Sequence, residues 1–475
     1  MPTDPNAHAG HGATGASPQA TAPGPGGEAG SAPAMPQDAM PQNAMAHGGL
    51  IWPHVANLSL GLWLMTGAAA MGSPSWGLRL SDLASGAVVF LLALLALSSS
   101  AVLKFWAPWA SALVGVWLLF APLVFWAGAA EYSNDTLVGT LVIVFAVLAP
   151  GMPGMRMGSG PDAPPGWSYN PSSWSQRAPI IGLALIGFFL SRHMTAFQLG
   201  HITSLRDLFF GLGTERVLTS EVSRAFPIPD AGLGAVAYMI EFLMGFMGDK
   251  FRWRTMPWMV MFFGILVVPL GVVSVTLIAL QPIAVGAWCT PCLIAAAAML
   301  IMVSLTVDEV VAMGIFLVLA RREGQPLWQT FWSGGTLRDA STPGAPAVRP
   351  DVASASGAFW GVTAPWNLLA SIGMGLWLML APYVVGSSGR AAHSDHLIGA
   401  LIVTMTMVAL ADVSRAARVV NLLLGAWVML APWLLEGATA GAVWSGGIAG
   451  ALVIILSVRR GRVGERYGEF ERFIR

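Results

Sequence analysis

The sequence predicts an all-α, polytopic membrane protein of about twelve spanning helices, judged against the bilayer length rule, and three observations predict it. Of its 475 residues, 55% are hydrophobic and only 10% charged, whereas a soluble domain carries about 25% charged residues. Apolar runs of crossing length, about 17 to 25 residues, recur from residue 54 to residue 458. Those runs are rich in Gly, Ala, Leu, Trp and Met and do not alternate, so spanning helices are indicated in place of barrel strands. The 24 basic residues cancel the 24 acidic ones. With no basic stripe and interleaved aromatics, no nucleic-acid partner is expected; the lipid bilayer is.

Residues 1–50 are Ala, Gly and Pro with almost nothing to bury, and read as a disordered cytoplasmic tail. No basic segment followed by a short apolar region opens the chain, so no cleavable signal peptide is expected and the first spanning helix directs insertion. The tail spaces Met35, Met40 and Met45 evenly and contains His8, His11 and His47. Thioether and imidazole ligands suit Cu(I). Low-complexity drift gives the same pattern, and a disordered tail does not preform a site; no metal is expected.

Four stretches repeat: "GLWLMTGAAAMG" at 61, "GVWLLFAPLVFW" at 115, "GLWLMLAPYVVG" at 375 and "GAWVMLAPWLLEG" at 425. Each places Trp two residues after Gly. Trp63, Trp117, Trp377 and Trp427 are followed 22 or 23 residues later by Gly86, Gly139, Gly399 and Gly450. The unit is thus a helical hairpin of about 50 residues. Packing accounts for both residue types, since small residues let helices approach in lipid and Trp favours the headgroup level. These stretches resemble the SPW repeat family of bacterial membrane proteins over residues 54–150 and 366–458. The first unit departs from the pattern by lacking the Pro found at Pro122, Pro382 and Pro432. The resemblance implies no catalytic residues.

Between these flanks lie four further apolar runs, at 178–198, 231–248, 257–280 and 289–306. "DEVVAMGIFLVLARREG" at 308 is too short in its uncharged part to span, and reads as an interfacial extension of the preceding helix. Lys104, Arg156, Arg177, Lys250, Arg252, Arg254, Arg321, Arg322, Arg338, Arg415, Arg418 and the "RRGR" from Arg459 to Arg462 fall on alternate helix ends. The exceptions are Arg79 and the long segment 192–230, which is diluted by Asp207, Glu215 and Glu221. The bias places both termini in the cytoplasm. The chain then surfaces on the outer side near Gln281 and re-enters at Cys289, on the oxidising side of a bacterial inner membrane.

Cys289 and Cys292 are the only cysteines. At i and i+3 they share one face of a first helical turn, where Pro291 is tolerated. A helix N-terminus favours thiolate, so the pair has both features that redox chemistry needs. Zinc wants about four ligands, which the chain does not supply here. Two buried small residues are the alternative.

The middle third, "TERVLTSEVSRAFPIPDAGLGAVAY" (214–238) followed by "WCTPCLIAAAAMLIMVSLTVDEVVA" (288–312), resembles the bacterial vitamin K epoxide reductase family over about residues 178–320. The resemblance implies a four-helix bundle around a quinone, ubiquinone or menaquinone, with Cys289 and Cys292 as catalytic residues. Cys292 would face the quinone and Cys289 would exchange with an outside thiol. Members of that family usually carry a second cysteine pair in the outer loop, and the corresponding segment here has none. A separate thioredoxin-like protein or small thiol on the outer side would then have to reach Cys289 directly.

Glu241 falls deep in the helix that begins near Ala231, where an ionisable group costs roughly 2.5 to 3.5 kcal/mol on insertion scales. It is either a proton acceptor for quinone chemistry or a protonated Glu bonded to a neighbouring helix. Asp308 and Glu309 read as a solvated helix face, and His193 and His201 as ordinary loop histidines. The chain divides into the tail 1–50, a repeat pair with four spans at 51–150, a linker at 151–177 and a vitamin K epoxide reductase-like domain with four spans at 178–320. A cytoplasmic linker at 321–360, a second repeat pair with four spans at 361–458 and a charged cytoplasmic tail at 459–475 complete it. The reading is a membrane thiol:quinone oxidoreductase; its rival is a non-enzymatic scaffold with a degenerate bundle. Cysteines introduced at Ser133 or Ser388 are expected to react with an impermeant thiol reagent from outside, and one at Ser333 to stay unlabelled. Labelling at Ser333 in intact cells would overturn the orientation.

Overall fold

The computed structural model describes residues 51–70, 75–148, 160–337, 348–349 and 356–474, without the side chains of 68–70. The Met- and His-bearing tail, and Arg156 and Arg338 of the orientation signal, lie outside the described residues. In the first flank, α1 (Ile51–Ala70) and α2 (Trp76–Ala96) form one hairpin, α3 (Ala101–Val124) and α4 (Ala129–Leu148) the next. The centre runs through α5 (Trp174–Gln198), α6 (Gly213–Leu218), α7 (Asp230–Phe246), α8 (Arg252–Thr255), α9 (Pro257–Leu280), α10 (Thr290–Arg322) and α11 (Leu327–Ser333). The second flank repeats the double hairpin with α12 (Trp366–Val385), α13 (Gly389–Leu410), α14 (Val420–Leu434) and α15 (Ala440–Val458), and α16 (Glu471–Ile474) closes the chain. Among the described residues there is no strand, only two isolated bridges. Among the described residues, ten helices are long and apolar enough to cross a bilayer. Two shorter or less apolar helices stand beside them: the 20-residue α1, which carries His54 and Asn57, packs along α2, and the 17-residue α7 packs along α5.

The repeated Gly and Trp positions close each flank. A Cβ added at Gly115 would stand 2.8 Å from the Gly139 carbonyl oxygen, and one at Gly139 2.8 Å from that of Gly115. The pairs Gly61 with Gly86, Gly375 with Gly399 and Gly425 with Gly450 meet in the same reciprocal way. Each hairpin therefore crosses backbone on backbone, which only Gly permits. The tryptophans bind between hairpins. Trp63 Nε1 donates to Asn134 Oδ1 and Trp117 Nε1 to Ser81 Oγ, each at 2.9 Å. In the second flank Trp377 donates to Ser445 at 2.9 Å and Trp427 to Ser394 at 3.0 Å. Every acceptor lies five residues before the Gly of its helix, so hairpins swap bonds with two-fold logic. Trp at these positions is thus a cross-hairpin donor as well as a residue of headgroup type.

The end of the bundle away from the cysteines is a buried polar cap, and it corrects the reading of Asp308 and Glu309. Both are buried, at 1% and 2% exposure. Arg252 Nε and Nη2 donate to the two oxygens of Glu309, each at 2.6 Å, and Ser172 Oγ also donates to Glu309. Tyr169 donates its hydroxyl to Asp308. The solvated-face expectation fails because residues 160–173 fold over this part of α10, with Trp167, Tyr169 and Ser172 buried. The last segment joins them: Tyr467 is buried, its ring 4.8 Å from that of Trp167. Arg252 and Arg177 also accept the end of α7 as their partner, donating to the Met247 carbonyl at 3.2 and 3.0 Å, as cations do at helix C-termini. The stretch from Asp308 to Arg322 is one helix with what precedes it, extending α10 to 33 residues, and buries Ala312, Met313, Phe316 and Ala320. Gly115→Ala is expected to cost about 1 to 3 kcal/mol, as overpacking does. Trp117→Phe, which loses one interhelical bond, should cost about 0.6 kcal/mol. Unfolding in detergent checks the order, and equal effects would contradict it.

Candidate active site

The site forms where α9 hands over to α10. The last turn of α9 widens into a π-turn at Gln281–Val285, a distortion that tends to accompany functional sites. Gly286 then takes φ 67°, a left-handed conformation suited to Gly, and turns the chain into Trp288 and Cys289. Cys289 is the N-cap of α10: its sulfur accepts the Cys292 N–H at 3.2 Å, with Pro291 early in the first turn. Cys289 N–H donates to Gln281 Oε1 at 3.0 Å, so the π-turn and the cap hold each other. The two cysteines are joined as a disulfide.

The two sulfurs have unlike surroundings. Cys292 lines a cleft whose walls include Met194, Leu218, Ser223, Tyr238, Ile278, Gln281 and Ala296. Its sulfur lies 3.5 Å from that of Met194. Cys289 is fully buried among Met194, Leu205, Leu218 and Ala231. Cys289 is therefore closed to a thiol in this conformation. The cover is a strap, residues 201–229, that includes α6. Gly213 packs against the Trp288 carbonyl so closely that a side chain there would collide with it.

Asp207 fastens the strap. Its carboxylate accepts the Thr290 N–H at 2.7 Å and the Thr290 hydroxyl, both at the start of α10. It also accepts the Thr214 hydroxyl and the N–H groups of Phe209 and Phe210, at 2.9 and 3.0 Å. Burial pushes the Asp207 carboxyl up, but the bonds from Thr214, Thr290 and Phe209 outweigh it and hold the group below its ordinary value. At the other end of the strap, Asp230 accepts from Gln198 at 2.5 Å and from Ser223 at 2.7 Å.

Glu241 is fully buried in α7, about 16 Å along that helix at 1.5 Å per residue. Neither carboxyl oxygen has a hydrogen-bond partner among the described residues. It does not line the cleft. Tyr238, one turn earlier on the same face, does, and donates its hydroxyl to the Ala295 carbonyl at 2.7 Å. Of the two histidines read as loop residues, His193 is instead an exposed residue within α5, whereas His201 lies in the loop after α5, its Nε2 2.8 Å from the Ala127 carbonyl of the first flank.

Residues 178–307 match the vitamin K epoxide reductase family model, and residues 51–149 and 365–460 match the SPW repeat domain. The chain holds a vitamin K epoxide reductase family region between two SPW repeat regions. No curated protein and no solved structure matches it. The vitamin K epoxide reductase match contains the cysteines, Glu241 and the whole strap, and ends one residue before Asp308. Both flanks nonetheless touch the site. Trp288 packs against His396 of α13, ring centroids 5.9 Å apart, and a Cβ at Gly232 of α7 would meet the Leu123 side chain of α3.

Asp207, Gln281, Trp288 and His396 escaped the sequence reading. Gln281 and Trp288 flank the cysteines closely enough to be candidates, but nothing in the spacing links Asp207 or His396 to them. A carboxylate held low in the fold contributes stability above its unfolded value and loses it only as pH falls through the folded value. The strap should therefore stay fastened from about pH 7 to about pH 5. Hydrogen-exchange protection of the Phe209, Phe210 and Thr290 amides, corrected for intrinsic rates, is expected to be unchanged over that range. A large loss at the acid end would show the latch to be weaker than its bonds imply.

Proposed function

We propose that the central region is a membrane thiol:quinone oxidoreductase. The observation that carries this is the division of labour between the sulfurs: Cys292 alone of the pair lines the cleft, while Cys289 faces the strap. The family match supports a membrane thiol-dependent oxidoreductase. The cleft fits a quinone ring, since Leu277, Ile278 and Ala296 give apolar walls and Ser223, Gln281 and Tyr238 give polar groups. A quinone bound there would accept an electron pair and two protons.

On this reading, an outside dithiol reduces the Cys289–Cys292 bond, leaves as its own disulfide, and gives the pair two electrons and two protons. Attack falls on Cys289, because Cys292 is turned to the cleft; the strap must lift first. The reduced pair then reforms its disulfide and releases the electron pair and two protons toward the cleft. Glu241, buried without a partner one turn from Tyr238, is the group to hold a proton in transit. The donor is a separate thioredoxin-like protein or small thiol, the membrane is the bacterial inner membrane with both termini cytoplasmic, and the cysteines open outward.

Purified protein given a dithiol and a ubiquinone or menaquinone analogue is expected to form quinol. Cys289→Ser and Cys292→Ser should each abolish it; the Cys289 thiolate left in Cys292→Ser should also attack a single-cysteine donor presented as its mixed disulfide with thionitrobenzoate, releasing thionitrobenzoate and leaving donor and Cys289 joined, since no resolving thiol remains on either partner. Glu241→Gln should lower kcat by about a hundredfold, the low end of general acid–base effects, with KM unchanged. Protein that passes no electrons to any quinone and traps no donor would leave the scaffold reading in place.

A further inference from the structure

We infer that Asp207 sets the redox poise of the Cys289–Cys292 pair, by placing a fixed negative charge against the N-terminus of the helix that bears both sulfurs. This rests on the redox reading of the pair, not on the identity of its acceptor. The N-terminus of α10 presents unsatisfied N–H groups that stabilise an anion, and a cysteine there gains thiolate character from them. In this chain the anion is already present. Asp207 takes the Thr290 N–H at 2.7 Å, and the Cys289 sulfur takes that of Cys292 at 3.2 Å. A thiolate formed on Cys289 would share the helix end with the Asp207 carboxylate. The disulfide bears no charge and is indifferent to it, so Asp207 disfavours the reduced pair alone. The consequence is a disulfide that is harder to reduce and a dithiol that gives up electrons more readily, which suits a pair that must pass them onward.

Asp207 acts through the helix end and the strap, not on reacting atoms; it is a positioning residue. The same carboxylate holds Thr214 of α6, so charge and cover are two effects of one group, and they can be separated. Other titratable groups on the elements around the site include Arg206 and Glu215 of the strap, Asp230 and Tyr238 of α7 and His396 of α13 behind Trp288. Glu215 is engaged by the Leu205 N–H at 2.7 Å and Asp230 by Gln198 and Ser223.

The test is equilibration of full-length protein in detergent with dithiothreitol, which gives up two electrons and two protons and leaves as its cyclic disulfide. Asp207→Asn is expected to raise the equilibrium constant for reduction on the order of threefold to tenfold at about pH 9, and to leave it nearly unchanged at about pH 6, because only the thiolate feels the charge. Asp207→Ser, which keeps a cap acceptor without charge, should reproduce the shift and serves if the Asn variant does not accumulate. Thr214→Val releases α6, whose Leu218 covers Cys289, from Asp207 and keeps the carboxylate on the Thr290 N–H: reduction should become faster with the equilibrium constant unmoved. An equilibrium constant indifferent to both Asp207 variants, or shifted equally at the two pH values, or shifted by Thr214→Val, would overturn the inference. Because no quinone takes part, loss of quinone reduction with this shift intact would count against the proposed function alone.

Discussion

The arrangement of the centre depends on the buried pair between Arg252 and Glu309. Neither charge could stand alone at 0% and 2% exposure: removing one partner of such a pair typically costs about 3 to 5 kcal/mol, because the other is left uncompensated. The pair does more than neutralise. Arg252 has donors left for the carbonyls of Met244 and Met247, at 3.1 and 3.2 Å, and thereby ties the end of α7 to α10. Glu309 and its neighbour Asp308 bring in Ser172 and Tyr169, just before α5 begins. Helices from three parts of the centre are thus set in register at one end. α10 then transmits that register: the roughly 20 residues of it between the cysteines and Glu309 make a strut of about 30 Å at 1.5 Å per residue, and the cysteines sit at its N-terminus.

The flanks solve a different problem by a different interaction. A double hairpin in lipid gains little from burying apolar surface, since the tails are as apolar as the side chains; close approach and hydrogen bonds must hold it. Reciprocal glycines supply the first within each hairpin, and the Trp-to-Ser or Trp-to-Asn bonds supply the second between hairpins. Because both devices are internal to a flank, the outer surfaces of the flanks remain free to pack on the centre. The second flank uses that freedom at the redox end, where Met379 and Ala400 join Trp288, Ala296 and Leu300 in one apolar cluster. The first flank reaches the same end through the Ala127 carbonyl beside His201.

What could be read from the sequence follows from how local each signal is. The spans, the repeats and the Cys-Thr-Pro-Cys turn are encoded within one helix or one hairpin, and they stand in the structure where the residues put them. Asp308 and Glu309 were misread because their partners, Tyr169, Ser172 and Arg252, lie between 57 and 139 residues away in segments without helical period. Those segments had the composition of linkers. The cover over Cys289 was not legible for a related reason: Leu205 and Leu218 belong to a segment with no long period, and only tertiary placement turns it into a cover. Asp207 could not be singled out at all, since its bond to Thr290 spans 83 residues and a lone loop Asp has many ordinary uses. The Trp positions were legible, but not their acceptors, because a Ser or Asn five residues before a Gly becomes meaningful only once two hairpins face each other.

The strap changes what the lack of loop cysteines means. A loop cysteine pair would relay electrons covalently and could stay close to the inner pair while doing so. Here the segment over Cys289 is held by Asp207, Thr214 and Thr290 on one side and by Gln198, Ser223 and Asp230 on the other, all of them polar contacts. Such contacts are each worth about 0.5 to 1.5 kcal/mol net, somewhat more when charged, so a cover made of them opens by thermal fluctuation without unfolding the bundle beneath. The apolar contacts of Leu205 and Leu218 with Cys289 oppose that opening and keep the sulfur dry between events. On the thiol:quinone reading, a relay of this form would require no sulfur in the loop, only a donor able to use the open state. The part of α10 around Asp308 and Glu309 has the opposite character, with charges paired bidentately and sealed under aromatic rings. One helix therefore joins a fixed end to a yielding one, and the disulfide lies at the yielding end.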